Sequence, residues 1–201
     1  MDNLKNYIKQ HFLDSIAAKR AILEDDKLME LIGEVSLKMI EAYRRGNKTL
    51  IAGNGGSAAD AQHIAGEFVS RFYFDRDGIP SIALTTDTSI LTAISNDYGY
   101  DKLFARQIQA QGVKGDVFIG ISTSGNSTNI IEAFSVCRDK DIISVGLTGK
   151  DGGKMSELCD YCIKVPSVCT PRIQESHIVI GHILCAIVEE ELFGEGFGCK
   201  P

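Results

Sequence analysis

Short, largely apolar segments separated by helical patterns constrain the fold of this chain more than any other feature. Five such segments follow one another: Thr49–Ala52, Ser81–Leu84, Val117–Ile121, Ile142–Leu147 and Tyr161–Val165. Strands that are apolar on both faces are typical of parallel sheets covered by helices on each side. The pattern therefore predicts an α/β fold with a doubly wound, parallel, five-stranded sheet of the flavodoxin or Rossmann type.

Helical patterns fill the rest of the chain. Apolar side chains recur at helical spacing from Leu4 to Ile16 and from Leu28 to Ile40, which predicts two helices before the turn at Gly46-Asn47. Later helical patterns lie near Ala58–Phe72, Thr88–Ser95, Leu103–Gln111, Thr128–Lys140 and, at the end, Arg172–Leu192. No linker or repeat interrupts them. We expect one domain over residues 1–201, with a helical hairpin at 1–46 and an α/β core at 47–201.

The charge balance and the apolar segments narrow the class of partner. Lys and Arg number 21 against 27 Asp and Glu, a net charge of −6. Such a surface disfavours nucleic acid, whose phosphates are bound mainly through cations. The start lacks the apolar stretch of a signal peptide, and the apolar segment Ile178–Val188 is too short to span a bilayer. We expect a cytoplasmic protein without nucleic-acid or membrane partners.

The cysteine pattern predicts reduced thiols rather than a disulfide framework or a metal site. Cys159 and Cys162 have the spacing of a metal knuckle, but no second Cys or His pair follows at zinc-ribbon distance. We therefore expect this pair to pack at the start of a strand. The six cysteines are Cys137, Cys159, Cys162, Cys169, Cys185 and Cys199.

A glycine-rich loop, Gly53-Asn54-Gly55-Gly56-Ser57, follows the first predicted strand. In α/β sheets, ligands bind beyond the carboxyl ends of the strands. Glycines let the backbone approach a ligand, and the amino end of the next helix favours an anion. The loop also fits a dinucleotide fingerprint loosely, but no acidic residue ends a second strand about 20 residues on, and no Gly-Lys-Ser/Thr follows. A plain tight turn remains the alternative.

A serine-rich loop, Ser122–Ser127, follows the third predicted strand. It carries four hydroxyls, on Ser122, Thr123, Ser124 and Ser127. Hydroxyls and backbone N–H groups at a helix start suit a phosphate monoester. Helix capping is the ordinary explanation, but one residue is enough for a cap. Two such loops at one edge of the sheet predict a phosphorylated small molecule as ligand.

Two pairs of polar residues on helices are candidates for chemistry. His63 and Glu67 are four positions apart after the glycine loop, so they share a helix face, although such a pair is often only a surface contact. Gln174 and His182 are eight positions apart on the last helix, about 80° around it. Spacing alone does not select them, because His177 is nearer Gln174 and faces away from His182. The residues leave that choice open.

Taken together, these motifs resemble the phosphoheptose isomerases of the sugar-isomerase (SIS) domain superfamily, over nearly the whole chain. The serine-rich loop alone indicates a SIS domain that binds a sugar phosphate. The pairs His63/Glu67 and Gln174/His182 carry the narrower resemblance. The matching segments are Gly53–Ser57, Asp60–Glu67, Asn96-Asp97, Ser122–Ser127 and Arg172–His182.

The resemblance implies an aldose–ketose isomerase, which is an intramolecular oxidoreductase. Its reaction would convert D-sedoheptulose 7-phosphate to D-glycero-D-manno-heptose 7-phosphate through an enediol, as the first step of ADP- or GDP-heptose supply for surface glycans such as lipopolysaccharide or capsule. It also implies a homotetramer. Pro171 departs from the pattern, because it stands where some members carry an acidic residue. Any substrate contact from that position is absent here or supplied elsewhere.

The same resemblance implies roles for individual residues. Glu67 would be the catalytic base and His182 its acid partner. One zinc ion (Zn2+) per subunit would be held by His63, Glu67, Gln174 and His182, although Gln is a poor zinc ligand. The implied substrate contacts are Asn54, Gly55, Gly56, Ser57, Glu67, Asn96, Asp97, Ser122, Thr123, Ser124, Ser127 and Gln174.

Other functions stay open on sequence alone. A non-catalytic relative, resembling the DnaA initiator-associating protein, would share the glycine loop and the following histidine, but is expected to lack the counterpart of Glu67. A SIS isomerase or sensor for another sugar phosphate would share the fold and the phosphate loop. A nicotinamide oxidoreductase rests only on the loose glycine fingerprint.

Overall fold

A five-stranded parallel sheet forms the centre of the molecule. The computed structural model describes residues 1–196, so Cys199 lies outside the described residues. The strands are β1 (Thr49–Gly53), β2 (Ser81–Ala83), β3 (Val117–Ile121), β4 (Ile143–Thr148) and β5 (Tyr161–Lys164). They are ordered β2-β1-β3-β4-β5, and every pair is parallel. This is the flavodoxin-like strand order, and the predicted fold class is confirmed.

Seven α-helices surround this sheet within residues 1–196. Two precede it, α1 (Asp2–Leu23) and α2 (Asp26–Arg44), as the predicted helical hairpin. The others are α3 (Gly56–Val69), α4 (Thr88–Tyr98), α5 (Leu103–Gln111), α6 (Thr128–Asp139) and α7 (Thr170–Phe193). Helices α2, α3 and α7 cover one face of the sheet, and α4, α5 and α6 cover the other. No helix in this part of the chain is long and apolar enough to cross a membrane.

Strand residues alternate between the two cores. Ile51 and Ile119 pack with α2, α3 and α7, whereas Leu50 and Phe118 pack with α5 and α6. All four side chains have no exposed surface. The strands are apolar throughout because successive side chains point to opposite faces, and both faces are covered.

The two leading helices differ in burial. Asp25 caps α2 by accepting a hydrogen bond from the N–H of Leu28, and one face of α2 is buried against the sheet. In α1 the buried residue is Ala18. The stripe formed by Leu4, Ile8 and Phe12 is exposed by 60%, 50% and 67%. Helix α1 therefore presents an apolar face that the rest of the chain does not cover.

A saturated carboxylate lies at the amino edge of the sheet. Buried Asp116 accepts hydrogen bonds from Lys48 Nζ at 2.7 Å, Lys48 N at 3.0 Å, Val113 N at 2.9 Å and Asn47 Nδ2 at 3.2 Å. Burial acts to raise the pKa of Asp116, but the Lys48 ammonium and the N–H donors outweigh it and hold that pKa below its usual range. This cluster fixes the starts of β1 and β3.

Candidate active site

The glycine-rich loop joins β1 to α3 in a turn that only glycine permits. Gly55 has φ +58°, and a Cβ on Gly53 would collide with the backbone of Ser57. Gly55 is also the N-cap of α3 and offers no side chain to cap it. Gly55 and Gly56 are exposed, whereas Ser57 is buried in the turn. The loop thus presents backbone rather than side chains at the carboxyl edge of the sheet.

The hydroxyls of the serine-rich loop are not used to cap α6. Ser127 is the N-cap residue but makes no capping hydrogen bond, and its Oγ lies 2.8 Å from the Oγ of Ser122. Ser124 Oγ accepts from the N–H of Asn126 within the loop, at 3.2 Å. The capping interpretation therefore fails for Ser127. What remains is a helix amino end with hydroxyls beside it, which favours an anion.

A reciprocal amide pair ties the two loops together. Asn54 Nδ2 donates to Asn129 Oδ1, and Asn129 Nδ2 donates to Asn54 Oδ1, both at 2.9 Å. Tyr100, just after α4, also donates to Asn54 Oδ1 at 2.8 Å. Sequence reasoning found Asn54 but missed Asn129 and Tyr100. The burial of Asn129, which requires partners for its amide, follows from the fold and is not visible in the sequence.

Helices α3 and α7 run in the same direction and pack side by side, and the line of contact between them is here called the α3–α7 groove. Gln174 lies against Gly56 at one end, and Gly181 lies against Ile64 farther along. A Cβ on Gly181 would lie 2.6 Å from Ile64 Cδ1, so the missing side chain lets the helices approach. The groove begins at the glycine loop and ends in a cluster of polar side chains.

That cluster consists of His63, Glu67 and His182. The Nε2 atoms of the two histidines lie 2.9 Å apart, and Glu67 Oε1 lies 3.2 Å from His63 Nε2. The three potential ligand atoms all lie within 4.8 Å of one another. Two imidazole nitrogens and a carboxylate oxygen are the donor set of many catalytic zinc sites. These residues fit a divalent ion, and we call them the metal triad.

Gln174, the fourth predicted ligand, lies at the other end of the groove. Its Nε2 would be 2.8 Å from a Cβ built on Gly56. Eight residues separate Gln174 from His182 in the unbroken helix α7, a rise of about 12 Å along its axis. The structure therefore brings together three of the four predicted ligands and places Gln174 beside the glycine loop.

The structure also distinguishes the two histidines of α7. His177 is fully buried, and its Nε2 donates to the carbonyl of Thr148 at 3.2 Å. Burial lowers the pKa of His177 to about 4, against 6.5 for an ordinary histidine. His177 is thus a neutral core residue near pH 7. His182, which the spacing alone did not select, is the one that faces His63.

The remaining predicted substrate contacts are dispersed around this edge. Asn96 and Asp97 are exposed at the end of α4, where Asn96 Nδ2 donates to Asp97 Oδ1 at 2.8 Å. Thr123 is partly buried, and Ser124 is exposed. Both line a polar cavity of about 310 Å³ that also contains Lys150. Sequence reasoning did not single out Lys150, which lies far along the chain from the serine loop.

The pair Cys159 and Cys162 consists of free thiols. A Cβ on Gly146 of β4 would lie 3.1 Å from Cys159 Sγ and 3.8 Å from Cys162 Sγ. Both sulfur atoms therefore pack against the sheet at the start of β5. This is the packing role predicted for them.

Comparison with known proteins agrees with this fold and identifies the family. Residues 11–149 match the SIS domain family. That match defines the class of protein: a sugar-isomerase domain built on a parallel α/β sheet.

Relatives that match over nearly the whole chain identify the family within this class. The chain is 75% identical over 200 residues to phosphoheptose isomerase 2 of Campylobacter jejuni, covering 100% of each chain. It is 70% identical to the phosphoheptose isomerase of Aneurinibacillus thermoaerophilus, covering 96% of this chain and 98% of that one. The structure of phosphoheptose isomerase from Neisseria gonorrhoeae superposes with a TM-score of 0.87 at 42% identity, covering 93% and 99%. The chain belongs to the phosphoheptose isomerase family, which confirms the resemblance seen in the sequence.

Proposed function

We propose that this chain isomerises D-sedoheptulose 7-phosphate to D-glycero-D-manno-heptose 7-phosphate through an enediol. One observation carries the proposal: His63, Glu67 and His182 converge in a groove that starts at two anion-favouring loops. A non-catalytic SIS protein would not need this convergence. The 75% identity to a named phosphoheptose isomerase supports the same reaction. We treat residues 1–201 as one SIS domain with this activity.

The phosphate is assigned to the loops. The hydroxyls of the serine loop and the amino end of α6 would hold it, with Lys150 as a nearby cation. Asn54 Oδ1 already accepts from Asn129 and Tyr100, whereas Nδ2 donates one of its two N–H bonds to Asn129 and keeps the other for the substrate. The other proposed contacts are Gly55, Gly56, Ser57, Asn96, Asp97, Ser122, Thr123, Ser124, Ser127 and Gln174.

Proton transfer is assigned to Glu67 and His182. Glu67 Oε1 faces His63, which leaves Oε2 to move a proton between C1 and C2 of the sugar. His182 would move the proton between the two sugar oxygens while its ring nitrogen is not bound to a metal ion, because a metal-bound nitrogen has neither a proton nor a free lone pair. We further propose that the metal triad holds zinc, with a substrate oxygen completing the site, or Gln174 once its side chain turns from Gly56 toward His182. When bound, such an ion polarises a sugar oxygen and stabilises negative charge on the enediol.

We also propose that the chain is a cytoplasmic homotetramer that supplies heptose for surface glycans. The support for subunit contact is the exposed stripe of Leu4, Ile8 and Phe12 on α1. Monomers rarely expose a contiguous apolar patch of this kind. Light scattering of the wild type and of Phe12→Asp tests the proposal. A wild-type monomer at micromolar concentration would contradict it.

The isomerase proposal is tested by proton NMR in heavy water. The wild-type protein, incubated with sedoheptulose 7-phosphate, should produce a new aldose anomeric signal, and Glu67→Gln should not. Removal of metal by a chelator should stop the reaction, and zinc should restore it. A folded, zinc-loaded protein that gives no conversion would reject the heptose reaction and favour a different sugar phosphate or a binding role.

A further inference from the structure

A buried ion pair lies beside the metal triad and has no assigned role. Arg76, in the segment between α3 and β2, donates from Nε to Glu189 Oε1 on α7 at 2.9 Å. The two side chains are only 2% and 1% exposed. Burying two charges costs desolvation energy that must be offset by complete hydrogen bonding. The partners of each residue therefore indicate what the pair holds in place.

Arg76 fixes the end of the helix that carries Glu67. Its Nη2 donates to the carbonyl of Glu67 at 2.9 Å, and its Nη1 donates to the carbonyls of Phe68 at 2.7 Å and Ser70 at 3.1 Å. The last carbonyls of a helix have no partner within the helix. Arg76 supplies those partners, together with the N–H of Ile79, which donates to the carbonyl of Phe68 at 2.9 Å, so its guanidinium helps to fix the last turn of α3.

Glu189 fixes the side of the triad that carries His182. Its Oε1 accepts from the N–H of Phe72 at 2.8 Å, and its Oε2 accepts from the N–H of Tyr73 at 2.6 Å. The ring of Phe72 lies 5.6 Å from the ring of His182, centroid to centroid. Burial acts to raise the pKa of Glu189, but the N–H groups of Tyr73 and Phe72 and the charge of Arg76 hold it below its usual range.

We propose that Arg76 and Glu189 are positioning residues for the metal triad. The pair holds the backbone of Glu67, which lies on α3, and that of Phe72, whose ring lies beside His182 of α7. It therefore sets the distance between two potential metal ligands on different helices. This inference rests on the proposed metal-dependent function. A comparable pair elsewhere, Lys48–Asp116, has a buried carboxylate and a partly buried Lys48, and it lies at the amino edge of the sheet, away from the groove.

Cobalt binding to the purified full-length protein tests the proposal, because Co2+ accepts zinc-type ligands and reports its coordination by visible absorption. We compare the wild type with Glu189→Gln, and with Asp116→Asn as the matched control. Glu189→Gln should weaken Co2+ affinity by about ten- to a hundredfold and change the absorption spectrum, as loss of outer partners of metal ligands does. Asp116→Asn should bind Co2+ as the wild type does, even if both variants lose thermal stability.

A second variant keeps the test decisive if Glu189→Gln does not fold. Phe72→Leu leaves the ion pair intact and removes the ring beside His182, so it should alter the Co2+ spectrum at unchanged stoichiometry. Wild-type Co2+ affinity and spectrum in every folded variant would overturn the proposal and leave the pair a purely structural contact. A wild type that binds no Co2+ would reject both this inference and the zinc site. A wild type that binds Co2+ but lacks heptose isomerisation would reject only the proposed reaction.

Discussion

Asp116 and Glu67 are both carboxylates close to the central sheet, but their surroundings differ. Asp116 is fully buried and accepts hydrogen bonds from Lys48, Val113 and Asn47. Glu67 has a side chain that is 25% exposed, and Oε1 faces only the ring nitrogen of His63. The carboxylate of the first cluster has all its acceptor positions filled, whereas the second cluster brings three potential ligand atoms within 4.8 Å of one another. A buried polar cluster with every partner supplied indicates a structural role, and a convergent, unsaturated one indicates a site.

The largest expected effect falls on the unsaturated cluster. His182→Ala removes one of the two facing imidazoles, so we expect kcat to fall by about 10²- to 10⁴-fold, the usual contribution of a general acid or base. Steady-state kinetics with sedoheptulose 7-phosphate measure the change. Asp116→Asn serves as the control and should keep wild-type kcat at a temperature where it is folded. Equal losses of kcat in the two variants would contradict the distinction between a catalytic and a structural cluster.

The next largest effect falls on the saturated cluster. Asp116→Asn should lower the free energy of unfolding by about 3 kcal/mol at pH 7, because it removes the buried charge that accepts from the Lys48 ammonium and from three N–H groups. Since the folded pKa of Asp116 lies below its unfolded value, its stabilisation is present above about pH 4 and is lost as the pH falls through the folded pKa. Urea unfolding from pH 7 to acid should therefore show the gap between variant and wild type narrowing. A gap that stays constant in acid would contradict this assignment.

The buried histidine His177 offers a third case, in which burial changes how stability depends on pH. Its folded pKa is about 4, below the ordinary 6.5, so between these values only the unfolded chain is protonated. Stability should fall as the pH drops from 6.5 to 4, by up to about 3 kcal/mol, at 1.36 kcal/mol per pKa unit. His177→Gln should flatten this part of the profile. Urea unfolding of metal-free protein across the window measures it, and an unchanged slope would show that other groups cause it.

The smallest effect is expected at the serine loop. Ser127→Ala removes one neutral hydroxyl from a set of several, so we expect KM to rise by about two- to tenfold with kcat almost unchanged, the value of about one hydrogen bond. Thermal unfolding should stay near the wild type, because Ser127 makes no capping bond. A loss of stability without a change in KM would restore the capping interpretation.

The sheet could be predicted because its signal is local. Each strand is apolar on both faces, and the predicted segments match β1 to β5 within a few residues. Helix ends were less predictable. The pattern predicted a helix near Ala58–Phe72, whereas α3 ends at Val69, since Arg76 from the following segment caps its last carbonyls. That contact depends on Glu189, more than a hundred residues later, and no local pattern reveals it.

The candidate site was predicted only in part for the same reason. The spacing of His63 and Glu67 places them on one face of one helix, so their proximity follows from the sequence. The choice of His182 over His177 depends on how α7 packs on α3, which the contact of Gly181 with Ile64 sets. The reciprocal pair of Asn54 and Asn129 joins loops that follow two different strands. No local sequence pattern predicts this contact.

The shape of the serine loop depends on backbone, with consequences for protein engineering. Gly125, at φ +66°, packs directly on the main chain of Gly152 and Gly153, and its carbonyl accepts from the N–H of Met155. Ser127 Oγ contacts Ser122 and takes no part in that interlock, whereas Ser124 Oγ accepts from the N–H of Asn126, whose Oδ1 accepts from the N–H of Lys154. Ser127 could therefore be exchanged for another polar side chain to recruit a different anion, while these glycines must be kept. The backbone thus sets the shape of the anion site, and the Ser127 side chain can be changed without changing that shape.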